Sequence, residues 1–247
     1  MHVEQFCPLK RAEEAGCLDG VHGCLVGSCQ NGWVRNQMTR LDTVFPIAGA
    51  VALDLIQRAE VCDQWLQPSA LPKMSIGALA CHMGRQVVRA AKLLPVPTDL
   101  PPLDSVDAHY QRAAWVTTTS PDDPPNDRSI DDTEAALGAA ALKDRTAAAL
   151  AEVRGLLEAG AAADIILIPW QGWSLRRGDF LLTRMLEIVV HADDLAISLD
   201  IPTTEFPAEA FIPVRDLLVR LAVKRHGQSA VISALARSER TQVISAF

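Results

Sequence analysis

The residues most able to do chemistry lie on one stretch, Phe180 to Leu199. It reads as a helix about five turns long with no Gly or Pro inside it, and Gly178-Asp179 just ahead supply a break and an N-terminal cap. Most of its circumference is apolar, but Arg184, Glu187, His191, Asp194 and Ser198 recur at spacings of three, four, three and four. At about 100° per residue this polar seam covers an arc of only roughly 80°. Glu187 and His191 stand one turn apart on one face, where a carboxylate and an imidazole can hold the same cation. Two readings are open. The seam is the wet face of a surface helix, or it is a ligand set in a helix whose apolar flanks are buried. Buried charges need partners or a metal.

Upstream elements must position any third ligand. Val44, Ala48, Val51, Leu55, Cys62 and Leu66 predict a first helix over about 42–67, ended by Pro68 and Pro72. Ser75 is a good N-cap for a second helix over about 75–94, with Ile76, Leu79, Met83, Val87, Ala90 and Leu94 as its core stripe. His82 sits beside that stripe; a lone histidine there reads first as a satisfied core residue and second as a ligand. Residues 95–131 form a Pro- and Asp-rich crossing with a short helix over about 104–117, capped by Asp104. On it, His109 reads first as an exposed histidine and second as another ligand. A third, Ala-rich helix is expected over about 132–159, with Leu137 among its core positions, Asp131, Asp132 and Glu134 favouring its N-terminus and Gly160 closing it. Ile165 to Ile168 read as an extended lead-in. Trp170 and Trp173 in the following turn either line a pocket mouth or plug the bundle end.

Composition bounds the rest. At 247 residues, 49% of them hydrophobic, the chain can bury a good core. A net charge of −7 argues against a general nucleic-acid binder, and no apolar run reaches a membrane span. With no signal-peptide pattern at the start, a cytoplasmic location is expected. Of six cysteines, Cys7, Cys17, Cys24 and Cys29 fall early but form no Cys-x-x-Cys pair, so neither a zinc knuckle nor a disulfide knot is expected. Cys62 and Cys81 are expected to pack as small hydrophobes. Three segments are expected: an unstructured or non-native extension over 1–37, a helical metal-binding domain over 38–199, and a helical C-terminal extension over 200–247 with helices near 207–225 and 229–240.

With these residues gathered, the chain resembles the DinB/YfiT-type four-helix bundle, an all-α fold with a long crossover between helices two and three. More narrowly, it resembles the metal-binding N-terminal domain of the mycothiol-dependent maleylpyruvate isomerase family. That family carries a His in the second helix and a Glu-x-x-x-His pair in the fourth, commonly followed by Asp-Leu. Here those positions are His82, then Glu187 and His191, then Asp194-Leu195; Pro169-Trp170 and Gly172 also look like the family's turn. The resemblance covers about 40–200. Two departures stand out. Lys73 to Gly77 replace the Trp and acidic residue that members often carry ahead of the helix-two His. Only residues 200–247 stand where the isomerase has a sizeable domain supplying a substrate-binding arginine, and no arginine there maps onto it. That argues against maleylpyruvate itself as substrate.

The resemblance implies His82, Glu187 and His191 as ligands of zinc or another divalent metal, and mycothiol as thiol cosubstrate. Two neutral imidazoles and one carboxylate leave an open coordination position, as in catalytic zinc sites. A thiol held there as thiolate would attack a small electrophilic molecule, giving conjugation or isomerisation. Asp194 would orient an imidazole; Arg184 would pair with Glu187 or with an anionic substrate; Trp170 and Trp173 are substrate-contact candidates. The alternatives are a zinc-dependent hydrolase of the same fold and a non-catalytic metal-binding regulatory or interaction protein. A homodimer is compatible with the sequence.

Overall fold

The structure, a computed structural model, describes residues 30–118, 120, 123, 124, 127 and 129–247. Residues 1–29 of the expected N-terminal extension, with its four cysteines, lie outside the described residues. The described chain is mostly helical, with one two-stranded sheet.

Helix α1 spans Gln30–Ile56, so residues 30–37 of the expected extension are helical. Its buried Val44, Phe45, Ala48, Ala52 and Leu55 keep a helical period. It stops at Ile56 rather than near 67, because Arg58 is extended (ψ 142°) and a separate short α2 follows (Ala59–Asp63). The break buries Val61 completely and brings Trp65 across Gly77 of the next helix. It also leaves Leu66 86% exposed and Cys62 exposed, against the expectation that both pack inward. Helix α3 (Ile76–Leu93) starts as expected: Ser75 Oγ accepts the Ala78 N–H at 3.1 Å.

The crossing carries α4 (Val106–Arg112), capped by Ser105 rather than Asp104, and a 3-10 turn at Ala114–Thr117. The single helix expected over 132–159 is two: α5 (Ser129–Ala135) and α6 (Gly138–Glu158). Gly138 (φ 86°) makes the corner, and Leu137 beside it is 65% exposed rather than core. The corner lets α5 turn onto α3 while α6 continues past it. Gly160 (φ 63°) closes α6, its N–H bonded to Leu157 O and that of Ala161 to Leu156 O, a Schellman ending.

Strand β1 (Ile165–Ile168) is the expected extended lead-in. It pairs antiparallel with β2 (Trp173–Arg176), which sequence reasoning missed, in the register Ile165 with Arg176 and Ile168 with Trp173. Helix α7 (Arg177–Leu199) begins directly from β2, with Arg176 at its cap position. Gly178 and Asp179 therefore lie in its first turn instead of ahead of it. Helices α8 (Ala208–His226) and α9 (Gln228–Ala236) complete the chain, separated at Gly227 (φ 83°); α9 ends about a turn earlier than expected. No described helix is long and apolar enough to cross a membrane.

Helices α1, α3, α6 and α7 pack around one core, α1 and α3 each touching both α6 and α7. Phe45, Leu55, Leu79, Met83, Leu142, Phe180 and Leu181 sit at its centre, fully or almost fully buried. The spacing of α3 from α6 is set two residues after His82. A Cβ on Gly84 would come within 2.8 Å of Thr146 Oγ1 and 2.9 Å of Leu142 Cδ1. Gly84→Val should force these helices apart and cost about 2–3 kcal/mol by overpacking. Urea unfolding measures this; a variant as stable as the parent would show the close approach to be unimportant.

Candidate metal centre

Helix α3 presents His82 and α7 presents Glu187 and His191, and packing of α3 on α7 brings the three together. The Nε2 of His82 lies 3.3 Å from Glu187 Oε2, and the Nε2 of His191 lies 3.5 Å from the same oxygen. Each residue offers one ligand atom within 4.8 Å of the others. A tetrahedral ion with bonds of about 2.0–2.1 Å spaces its ligand atoms roughly 3.3 Å apart. The imidazole rings meet edge to face, centroids 4.7 Å apart.

Both imidazoles are tethered by their far nitrogen. His191 Nδ1 lies 2.9 Å from Asp194 Oδ2, and His82 Nδ1 lies 3.2 Å from Asp131 Oδ2. A carboxylate at Nδ1 fixes the proton there and leaves the Nε2 lone pair for a cation, the usual arrangement behind a ligating histidine. The donor set and its spacing fit a divalent ion.

Asp194 thus stands where sequence reasoning placed it. Asp131 was missed in this role, having been read as a helix-terminus acid. It is only 2% exposed, and α5 carries it under α3. Its Oδ1 lies 2.6 Å from Arg85 Nη2, and the same Arg85 nitrogen lies 2.9 Å from Glu134 Oε2. Burial works to raise the Asp131 pKa, yet His82 and Arg85 hold it below the usual value. Arg145 adds a second guanidinium to Glu134 at 3.4 Å. A chain of charges, buried at Asp131 and Arg85 and partly buried at Glu134 and Arg145, therefore ties α5 and α6 to the back of His82.

The rest of the α7 seam is no wet face. Arg184, 5% exposed, donates to Gln86 Oε1 at 2.7 Å and to Thr183 Oγ1 at 3.2 Å rather than pairing with Glu187. Ser198 Oγ donates to Asp194 O and accepts the Ala70 N–H. Trp170 is 47% exposed, with the Arg89 guanidinium 4.1 Å above its ring. Trp173 donates its Nε1–H to His109 Nδ1 at 3.1 Å. His109 is buried, not exposed, and burial followed by the charge of Arg184 pushes its pKa down to about 4. It is a neutral side chain at any ordinary pH.

The metal-free charge state has a measurable consequence. Burial works to lower the His191 pKa, but hydrogen bonds to Asp194 and Glu187 prevail and raise it to about 9. Burial likewise works to raise Glu187, and the two histidines hold it well below the carboxylate range. Because His191 is raised from 6.5, its stabilising contribution is complete below pH 6.5 and is lost as pH rises through about 9. Urea midpoints of chelator-treated protein should therefore fall across that window, and those of zinc-loaded protein, whose two imidazole ligands are already neutral, should not. A chelated midpoint that climbs with pH there would contradict this assignment.

Comparison with known families agrees with this geometry. The family model described as the mycothiol maleylpyruvate isomerase N-terminal domain matches residues 48–196, which include all three converging side chains. No curated protein and no solved structure matches the chain. With more than half its length matched, the chain belongs to the mycothiol maleylpyruvate isomerase N-terminal domain family.

Proposed function

We propose that this family member is a metal-dependent thiol transferase or isomerase that joins a mycothiol-type thiol to a small electrophilic molecule. The helical arrangement it uses is read as a DinB/YfiT-like four-helix bundle. The observation that carries the reading is the convergence of His82 Nε2, His191 Nε2 and Glu187 Oε2. These three would hold one divalent ion, zinc being the natural choice for an imidazole–carboxylate set, and would leave a position open. An ion bound there supplies Lewis acidity, lowering the pKa of a coordinated thiol enough to keep it as thiolate at neutral pH.

The chain's own residues do the rest. Asp131 and Asp194 sit at the Nδ1 sides of the two imidazoles, fix their orientation and direct the Nε2 atoms toward the ion. Glu187 is the one anionic ligand, so a divalent ion with its three ligands would carry a net charge of about +1 and favour an anionic fourth ligand such as a thiolate. The α3–α7 packing and the buried Arg85–Asp131–Glu134 network hold the site rigid, so little reorganisation accompanies thiol binding. The thiolate sulfur then adds to one carbon of a conjugated double bond, breaking the π bond and leaving its electron pair as an enolate. Protonation of that enolate by water completes conjugation, whereas rotation about the former double bond followed by expulsion of the thiolate restores the π bond and gives isomerisation.

The test is incubation of zinc-loaded protein with mycothiol and a panel of electrophiles, followed by mass analysis. A thiol adduct or isomer that forms only with metal supports the proposal. Metal-dependent addition of water without thiol would replace it with a hydrolase.

A further inference from the structure

Positive charge at one end of the site has no counterpart. Arg89 lies seven residues, or two turns, after His82 on the same face of α3, roughly 10 Å further along the axis. Gln86, between them, uses both ends of its amide, donating to His82 O at 2.9 Å and accepting from Arg184 Nη1 at 2.7 Å. Arg184 thus has only neutral acceptors. Arg89, half-buried, forms no hydrogen bond and no ion pair among the described residues; its guanidinium lies over the face of Trp170. The other guanidinium on this helix, Arg85, is matched by Asp131 and Glu134.

An unmatched guanidinium stacked on an aromatic ring is an open fork. Its planar N–H donors are held in orientation by the indole beneath, and their edge is free for a carboxylate. Burial, together with the charges of Arg184 and Arg85, lowers the Arg89 pKa to about 10, outweighing the attraction of the more distant Glu187 and Asp131. A bound anion would relieve that. Trp170 is the more exposed wall of this end, so a ligand can approach.

We infer that Arg89, stacked on Trp170, is an anion-recognition point of the site and takes a carboxylate of the electrophilic cosubstrate. Assigning the anion to a cosubstrate rests on the proposed metal chemistry; the anion site itself does not. Selectivity then follows: of two electrophiles with the same reactive carbon, the one bearing a carboxylate a few carbons away binds better. Arg184 adds long-range attraction but has its donors engaged, so Arg89 makes the direct contact.

The probe is benzoate, with the neutral isostere benzamide as control, followed by tryptophan fluorescence in zinc-loaded and chelator-treated protein. Benzoate should bind about tenfold or more tightly than benzamide in both forms. Arg89→Gln should abolish that preference with zinc stoichiometry unchanged, and Arg89→Lys should keep part of it. Equal binding of benzoate and benzamide to the unmodified protein overturns the inference. So does a benzoate preference that survives Arg89→Gln or disappears on chelation, since the anion would then sit on the metal. Failure of the protein to bind zinc, with an Arg89-dependent preference intact, overturns the metal reading and supports the anion site.

Discussion

Replacing His191 with alanine is expected to lower zinc affinity by about 100-fold or more, with the helical fold retained. The structural reason is twofold. One of three converging ligand atoms disappears, and Asp194, which lies 2.9 Å from His191 Nδ1, loses the group it orients. Zinc sites bind with on the order of 10–16 kcal/mol over four ligands, so one ligand carries roughly 3 kcal/mol. Competition against a chelating dye reads the loss directly. Unchanged zinc affinity in His191→Ala would remove α7 from the metal centre. Circular dichroism of the chelated variant controls for folding, and its urea midpoint should lose the decline between about pH 6.5 and 9 that His191 causes.

Arg85→Met is the second large effect. The guanidinium lies 2.6 Å from Asp131 and 2.9 Å from Glu134 and is itself 5% exposed. Methionine keeps much of the aliphatic stem packing but leaves Asp131 buried against His82 alone, and Glu134 with only the longer Arg145 contact. Breaking a buried ion pair by deleting one partner costs about 3–5 kcal/mol, because the remaining charge is uncompensated. That is a large part of a domain's total stability, so the urea midpoint should drop steeply. Zinc affinity should fall as well, since Asp131 is the anchor of His82. A loss under about 1 kcal/mol would mean that α5 relaxes to let water reach Asp131, and that the network behind His82 is not rigid.

The site was legible where its residues share a helix. Glu187 and His191 stand out because four-residue spacing places them on one face, and the narrowness of the seam in an apolar helix already argued for burial. Arg184 at 5% exposure accords with that argument. His82 was legible only through the family resemblance, since nothing in its neighbours separates a ligand from a core histidine. Asp131 was not legible. Asp131 and Asp132 are adjacent at the start of the same stretch, and which of them faces α3 depends on the corner at Gly138, a tertiary feature. His109 carried a usable signal that went unread: Val106 and Tyr110 are four apart, and His109, three after Val106, falls on their buried side.

Two element boundaries failed at helix breaks. The break at Arg58 falls in sequence with ordinary helix propensity on both sides, so local preference does not oppose continuing the helix, whereas the break at Leu137 is marked by Gly138, a signal that went unread. What breaks the helices is the packing obtained by turning: Val61 and Trp65 against the start of α3, and α5 under His82. Strand β2 was missed because four residues are too few to show an alternation, and its partner β1 supplies most of the reason it is extended.

X-ray absorption at the zinc edge of the purified, zinc-loaded protein tests the metal centre most directly. The account predicts one zinc per chain with nitrogen and oxygen neighbours at about 2.0–2.1 Å, two of them showing imidazole scattering, and no sulfur shell while added thiol is absent. A shell at about 2.3 Å in that sample would place the metal on cysteine thiolates instead, and a protein that retains no zinc would leave His82, Glu187 and His191 as a packing cluster.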